Sequence, residues 1–137
     1  MTIRLKKADY DAILSHAQAN LPNEACGLIA GTTEGENRII EKVYLLINPD
    51  ASPEHFSVSP KEQLEAIKDM RDLGISALGN FHSHPATPAR PSGEDIRLAY
   101  DPKATYLILS LAGKEPVLKA FAIANGTVTP QTLEILP

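Results

Sequence analysis

Gly79-Asn80-Phe81-His82-Ser83-His84-Pro85, followed by Ala86-Thr87-Pro88-Ala89-Arg90-Pro91 and then Ser92-Gly93-Glu94-Asp95, is the stretch on which the reading of this chain turns. The apolar residues leading into it, Ile75, Ala77, Leu78 and Phe81, predict an extended strand. Alternate side chains of a strand share a face, so His82 and His84 direct two imidazoles at one point. Ser92-x-x-Asp95 predicts a helix N-cap with an acidic residue at the third helical position. A short helix from Gly93 to about Leu98 would hold Asp95 in its first turn, and a compact Pro-rich turn would return its carboxylate to the imidazoles. Two histidines and one carboxylate form a three-ligand set typical of catalytic zinc, with the fourth position left to water. A His-x-His pair alone also occurs by chance on exposed strands, and Ser92 with Asp95 alone is a helix cap. Capping and ligation are compatible.

Upstream, Asn23-Glu24-Ala25-Cys26-Gly27-Leu28-Ile29-Ala30-Gly31 adds a glutamate to the pattern. That segment, then His-Ser-His-Pro, six residues and Ser-x-x-Asp, together resemble the metalloprotease signature of the JAB1/MPN (JAMM) family. The resemblance implies that His82, His84 and Asp95 are zinc ligands and that Glu24 and Ser92 complete the catalytic site. It implies an α+β fold of the MPN type, a mixed, mostly antiparallel sheet flanked by helices and related in shape to the cytidine deaminases. It also implies the substrate class: an amide bond at the C-terminus of a ubiquitin-like or sulfur-carrier protein with a Gly-Gly tail. The motif-bearing segments are most similar to the short prokaryotic forms of the family.

The chemistry follows from those assignments. One Zn²⁺ held by the three ligands would lower the pKa of its bound water to about 7. Glu24 is the candidate to take the proton from that water and return it to the leaving amine. The Ser92 hydroxyl is the candidate to share the charge gathering on the carbonyl oxygen, a donor whose loss commonly raises a barrier by about 2.7 to 4 kcal/mol. If Ser92 also caps the helix, one hydroxyl has two duties. The Gly-Gly tail is expected to add as a strand beside a free sheet edge.

A chain of 137 residues suits a single domain, 1–137, that buries roughly two-thirds of the surface its unfolded form exposes. Its net charge of −4 and its lack of any Lys/Arg block argue against a nucleic-acid or acidic-membrane partner. The absence of Trp and the low aromatic content argue against a platform for stacking bases. No segment has the make-up of a signal peptide or reaches the length of a membrane span, and the single Cys excludes an internal disulfide; a cytoplasmic protein is expected. One Cys also cannot supply the Pro-Cys-x-x-Cys segment of a nucleobase deaminase. The rival readings are an inactive MPN binding scaffold and a zinc amidase acting on small molecules.

Elsewhere, Tyr10, Ile13, Leu14, Ala17 and Leu21 predict an amphipathic helix over 8–20, ended by Pro22. Ala25 to Ala30 and Ile39 to Ile47 predict a hairpin, with Glu24 at the mouth of its first strand. Glu54 to Val58 is expected as a short strand after the loop Asn48 to Pro53. Ser59-Pro60-Lys61-Glu62 and Gly74 bracket a helix over 60–73, with Leu64, Ile67, Met70 and Leu73 along one face. Strands over 105–111 and 117–124 follow, and Asn125-Gly126 returns the chain in a hairpin. Cys26 reads as a small core residue and His16 as a surface or partly buried one. Glu54 and His55 lack a third ligand and read as loop residues near the substrate.

Overall fold

Ile3 and Leu5 alternate with Arg4 and Lys6, and in the computed structural model, which describes residues 1–137, this alternation makes a first strand, β1 (Thr2–Lys6). At five residues it is too short for a periodic pattern to mark it. Helix α1 (Lys7–Ala19) follows, then the expected hairpin of β2 (Cys26–Glu34) and β3 (Asn37–Leu46), both longer than anticipated. Next come α2 (Pro60–Leu73), β4 (Ser76–His84), α3 (Gly93–Arg97), β5 (Thr105–Ser110), β6 (Val117–Ala124) and β7 (Thr127–Leu136). No helix is long and apolar enough to cross a membrane.

The sheet is mixed as expected, but it closes on itself in the order β1-β3-β2-β4-β5-β6-β7. Closure is the work of β1, which pairs in parallel with β3 on one side and with β7 on the other. β4 and β5 are also parallel, and the remaining neighbours are antiparallel. The ring has no strand that is an edge along its whole length, but β1 covers only Asn37–Ile39 of β3, and the rest of β3 has β2 as its sole partner strand.

The core gathers Ile3 and Leu5 of β1, Ile29, Ile40, Phe81, Leu107 and Leu109, with Ile13 and Ala17 of α1 packed against them. Helix α2 packs through Ala66 and Met70 against Ala30, with Leu28, Tyr44 and Ile75 around the contact. Of the face expected to be buried only Met70 is: Leu64, Ile67 and Leu73 are 55%, 38% and 54% exposed. The small Ala66 side chain lets the helix approach the sheet there, which turns the larger residues outward. Gly74 closes α2 in the left-handed conformation as expected, whereas the Ser59 side chain makes no capping bond. Residues Glu54 to Val58 are irregular rather than a strand. Asn48 satisfies part of that segment instead: its Nδ2 donates to the His55 carbonyl at 2.8 Å, and its Oδ1 accepts from Ser57 N at 3.3 Å.

One irregularity sets the phase of β4. Ile29 pairs with Gly79 but Ala30 pairs with Ala77, so Leu78 is an extra residue bulged out of the β2–β4 ladder. Both Leu78 and Phe81 can thereby enter the core. Beyond the bulge, normal alternation points Phe81 inward and Asn80, His82 and His84 outward. Gly79 makes this possible because β5 runs against its backbone; a Cβ there would lie 1.8 Å from the Thr105 carbonyl oxygen. We expect Gly79→Ala to lower stability by about 3 kcal/mol or more through that clash. Urea unfolding monitored by circular dichroism measures it, and an unchanged midpoint would show that the strands can part without loss.

Candidate metal centre

Alternation along β4 brings His82 and His84 together with their Nε2 atoms 3.1 Å apart. Both side chains are almost wholly enclosed, at 2% and 4% exposure. Asp95 reaches them from the first turn of α3, its Oδ2 lying 3.1 Å from each Nε2. The three atoms thus form a nearly equilateral triangle, and His82, His84 and Asp95 constitute a group able to hold a metal ion. A tetrahedral ion bonded at zinc distances requires ligand atoms about 3.3 Å apart, close to the spacing found.

The histidine ring chemistry agrees. His84 Nδ1 lies 2.9 Å from the Pro88 carbonyl oxygen, which can only accept, so Nδ1 carries a proton and Nε2 faces the centre, donating to Asp95 in the metal-free protein and free to offer its lone pair to an ion once that proton is lost. The Pro-rich segment therefore does more than return the chain. His82 is steadied differently: the Phe56 ring stacks on it with centroids 4.6 Å apart, and its Nδ1 has no partner.

The cap expected at Ser92 is present in both directions. Ser92 Oγ accepts from Asp95 N at 3.0 Å, and Ser92 N donates to Asp95 Oδ2 at 2.9 Å. The same Oδ2 is the vertex of the triangle, so the cap fixes the ligand atom itself. Burial alone would raise the Asp95 carboxyl, but the bonds from His82 and His84 overcome it and hold the group well below the usual carboxylate range. Burial likewise opposes charge on His84, yet its bonds to Asp95 and Pro88 raise its pKa. The two duties foreseen for the Ser92 hydroxyl do not conflict, because capping uses its oxygen lone pair and leaves the proton free to donate.

Glu24 lies immediately before β2, at 4% exposure, with Oε1 enclosed and unpaired. Its main chain is held at both ends: Glu24 N donates to the Ser52 carbonyl at 2.8 Å, and the Glu24 carbonyl accepts from Asn48 Nδ2 at 3.1 Å. Burial raises its carboxyl from 4.5 to about 7, partly offset by His84 and reinforced by Asp95. Glu24, His84, Ser92 and Glu94 line a cleft of about 360 Å³. On the other side His82 and Asp95 line a second cleft of about 510 Å³, whose walls include Phe56, Asn80 and Tyr106. Glu54 and Glu94 border both clefts, and His55 Nδ1 donates to Glu94 Oε1 at 2.7 Å between them.

His82, His84 and Asp95 therefore meet at one point, and Glu24 and Ser92 share a cleft with His84. Sequence reasoning missed Phe56, Asn48 and Glu94. An aromatic or polar residue within an irregular loop carries no periodic signal, and Glu94 was hidden inside the cap motif. Cys26 is free and fully buried, its thiol pushed up by burial to about 12, in keeping with a core role. His16 is structural: its Nε2–H reaches the carbonyls of Cys26 and Leu46, which ties α1 to the β2–β3 hairpin.

Comparison with known proteins places this centre in a family context. The family described as prokaryotic homologs of the JAB domain matches over residues 6–124. The CysO-cysteine peptidase of Mycobacterium tuberculosis is 33% identical over 129 residues, covering 92% of this chain and 86% of the relative. A probable TtuB-protein conjugate cleaving protease of Thermus thermophilus is 34% identical, covering 82% and 70%. The solution structure of a protein from Desulfitobacterium hafniense is 54% identical with a TM-score of 0.90, covering 97% of this chain and 92% of that one. A crystal structure of a JAB1/MPN domain protein from Archaeoglobus fulgidus, 22% identical, superposes over the full length of both chains with a TM-score of 0.63, which shows the fold.

The Glu24 carboxyl has a measurable consequence for the metal-free protein. Between 4.5 and about 7 the folded state keeps a proton that the unfolded chain releases, so stability is full below that window and falls as pH rises through it. The loss is on the order of 3 kcal/mol. Glu24→Gln is expected to flatten this dependence and to be the more stable form at about pH 8 but not at about pH 4. Urea midpoints in the presence of a chelator measure it; equal pH slopes for the two proteins would contradict the burial of this acid.

Proposed function

The chain belongs to the prokaryotic homologs of the JAB domain, and from that premise we propose that it is a zinc-dependent peptidase cleaving an amide bond at the C-terminus of a ubiquitin-like or sulfur-carrier protein. The observation that carries the reading is the triangle of His82 Nε2, His84 Nε2 and Asp95 Oδ2 with a buried, unpaired Glu24 carboxyl beside it. The names of the relatives, a CysO-cysteine peptidase and a TtuB-protein conjugate cleaving protease, support the substrate class.

In this reading His82, His84 and Asp95 hold the ion. Zinc bound there would polarise the scissile carbonyl and make water a competent nucleophile near neutral pH. Glu24 removes a proton from the attacking water as the new carbon–oxygen bond forms. The Ser92 hydroxyl donates to the carbonyl oxygen as it gains negative charge. Glu24 then passes its proton to the amide nitrogen as the carbon–nitrogen bond breaks, and with the water's second proton moving from the new carboxyl group to the amine, the products leave as a carboxylate and an ammonium ion. A carboxyl whose burial already places it near neutrality suits both the taking and the giving of that proton.

Two features favour a protein tail over a compact small-molecule amide. Clefts lead away from the centre in two directions, which fits an amide with a sizeable group on each side. The ligands themselves are nearly enclosed, which suits residues without side chains at the bond to be cut, as in a Gly-Gly tail. The tail is delivered along one of these clefts.

The test is metal content together with hydrolysis of a ubiquitin-like protein extended at its C-terminal Gly-Gly by one cysteine in amide linkage. Glu24→Gln should retain stoichiometric zinc and lose nearly all turnover, whereas Asp95→Asn should lose both. Ser92→Ala should retain zinc and slow turnover by about 100-fold. A wild-type protein that purifies without metal and takes up none would end the proposal, as would full activity in Glu24→Gln.

A further inference from the structure

Asn80 stands two residues before His82 on β4 and so faces the same way, yet the metal centre makes no use of it. Its side chain forms no hydrogen bond within the protein, and its Oδ1 is enclosed without a partner. In the ladder it sits between Leu28 of β2 and Tyr106 of β5, neighbours against which an apolar side chain would pack without loss. A polar group left unpaired in such a place opposes folding, so its presence calls for a partner from outside the chain.

The surroundings indicate which one. The cleft that begins at His82 and Asp95 continues past Asn80 into a further groove of about 640 Å³ along the N-terminal half of β4. Leu28, Gln63, Asn80, Leu98, Tyr100 and Tyr106 line both parts, so the two are one continuous trough. Glu24, which hands its proton to the leaving amine, lines the opposite cleft. The amine therefore departs on that side, and the acyl portion of the substrate occupies the trough. Two strand residues advance about 6.6 Å, which is also the repeat of an extended peptide. A chain lying along β4 with its reacting carbonyl at the centre thus sets a peptide unit over Asn80 two residues earlier.

We propose that the Asn80 carboxamide is a substrate-binding group that hydrogen-bonds the main chain of the carrier tail one dipeptide step before the bond to be cut. The proposal rests on the peptidase reading above. A primary amide both donates and accepts, matching the two kinds of polar group on a peptide backbone. Its terminal torsion is soft, so either end can turn toward the incoming chain. Binding through the main chain reads the tail as extended and leaves its side chains to the trough walls.

The experiment compares zinc-loaded wild type with Asn80→Leu on two aminocoumarin amides, N-acetyl-Leu-Ala-Gly-Gly, which spans the Asn80 position, and N-acetyl-Gly, which does not. The advantage of the longer substrate in kcat/KM should shrink about tenfold in the variant, through KM rather than kcat. Asn80→Leu should unfold no earlier than wild type; if it fails to fold, Asn80→Ala serves for the same comparison. In parallel, the side-chain amide signals of Asn80 in the ¹⁵N-labelled zinc protein should shift when a hexapeptide acid ending in Gly-Gly is added. An unchanged length advantage together with unmoved Asn80 signals at saturating peptide overturns the proposal and leaves the peptidase reading standing. If wild type cleaves neither these amides nor the cysteine-extended ubiquitin-like protein the peptidase reading fails, and the Asn80 signals alone then decide whether the tail binds there.

Discussion

One oxygen atom, Asp95 Oδ2, joins the local structure of this protein to its chemistry. It accepts the Ser92 amide that begins α3 and stands at equal distance from both imidazoles of β4. A helix too short to be stable alone is thereby anchored by its own cap and by the histidines it faces. The reverse also holds. A carboxylate on a free loop would have many orientations to lose before it could serve as a ligand, whereas the cap has already removed them. Folding of α3 and assembly of the centre are in this sense a single event.

Around that point the protein tolerates arrangements that do not favour stability. Glu24 is buried without a partner for Oε1, His82 keeps an unpaired Nδ1, and Asn80 keeps an unpaired Oδ1. Such groups each oppose folding; these three lie on the outward face of β4 and just before β2, while Arg4, Asp9 and Arg38 keep unpaired buried atoms elsewhere. What supports them is ordinary: the apolar interior of a closed sheet, and an Asn48 side chain that holds both the Glu24 carbonyl and the loop over the site. Asn48 joins the main chain at Glu24 to the segment that carries Phe56 and His55.

Much of this was legible in the order of residues. The His82–His84 spacing works through the two-residue repeat of a strand, and the Ser92–Asp95 spacing through the geometry of a cap, so both are local and readable. The ends of α2 and the Asn125-Gly126 turn were readable for the same reason. What escaped was non-local. β1 is short, and only its partners β3 and β7, far along the chain, make it a strand that closes the sheet. The buried face of α2 was misjudged because apolar periodicity favours Leu64, Ile67 and Leu73, while packing is decided by how closely Ala66 lets the helix approach. Phe56 over His82 depends on the path of an irregular loop, which no local rule specifies.

The way the sheet closes also orders events in time. β1 leaves the ribosome before the other six strands, but its longest pairing is with β7, from Thr2 opposite Thr132 to Lys6 opposite Leu136. That seam cannot form until β7 has emerged, and contacts so distant in sequence are slow to find. During synthesis β1 has only its three-residue register with β3 to hold it, so the nascent barrel stays open along one side. Ile3 and Leu5 remain partly unsheltered through this interval, the period in which the growing polypeptide most needs a chaperone's cover.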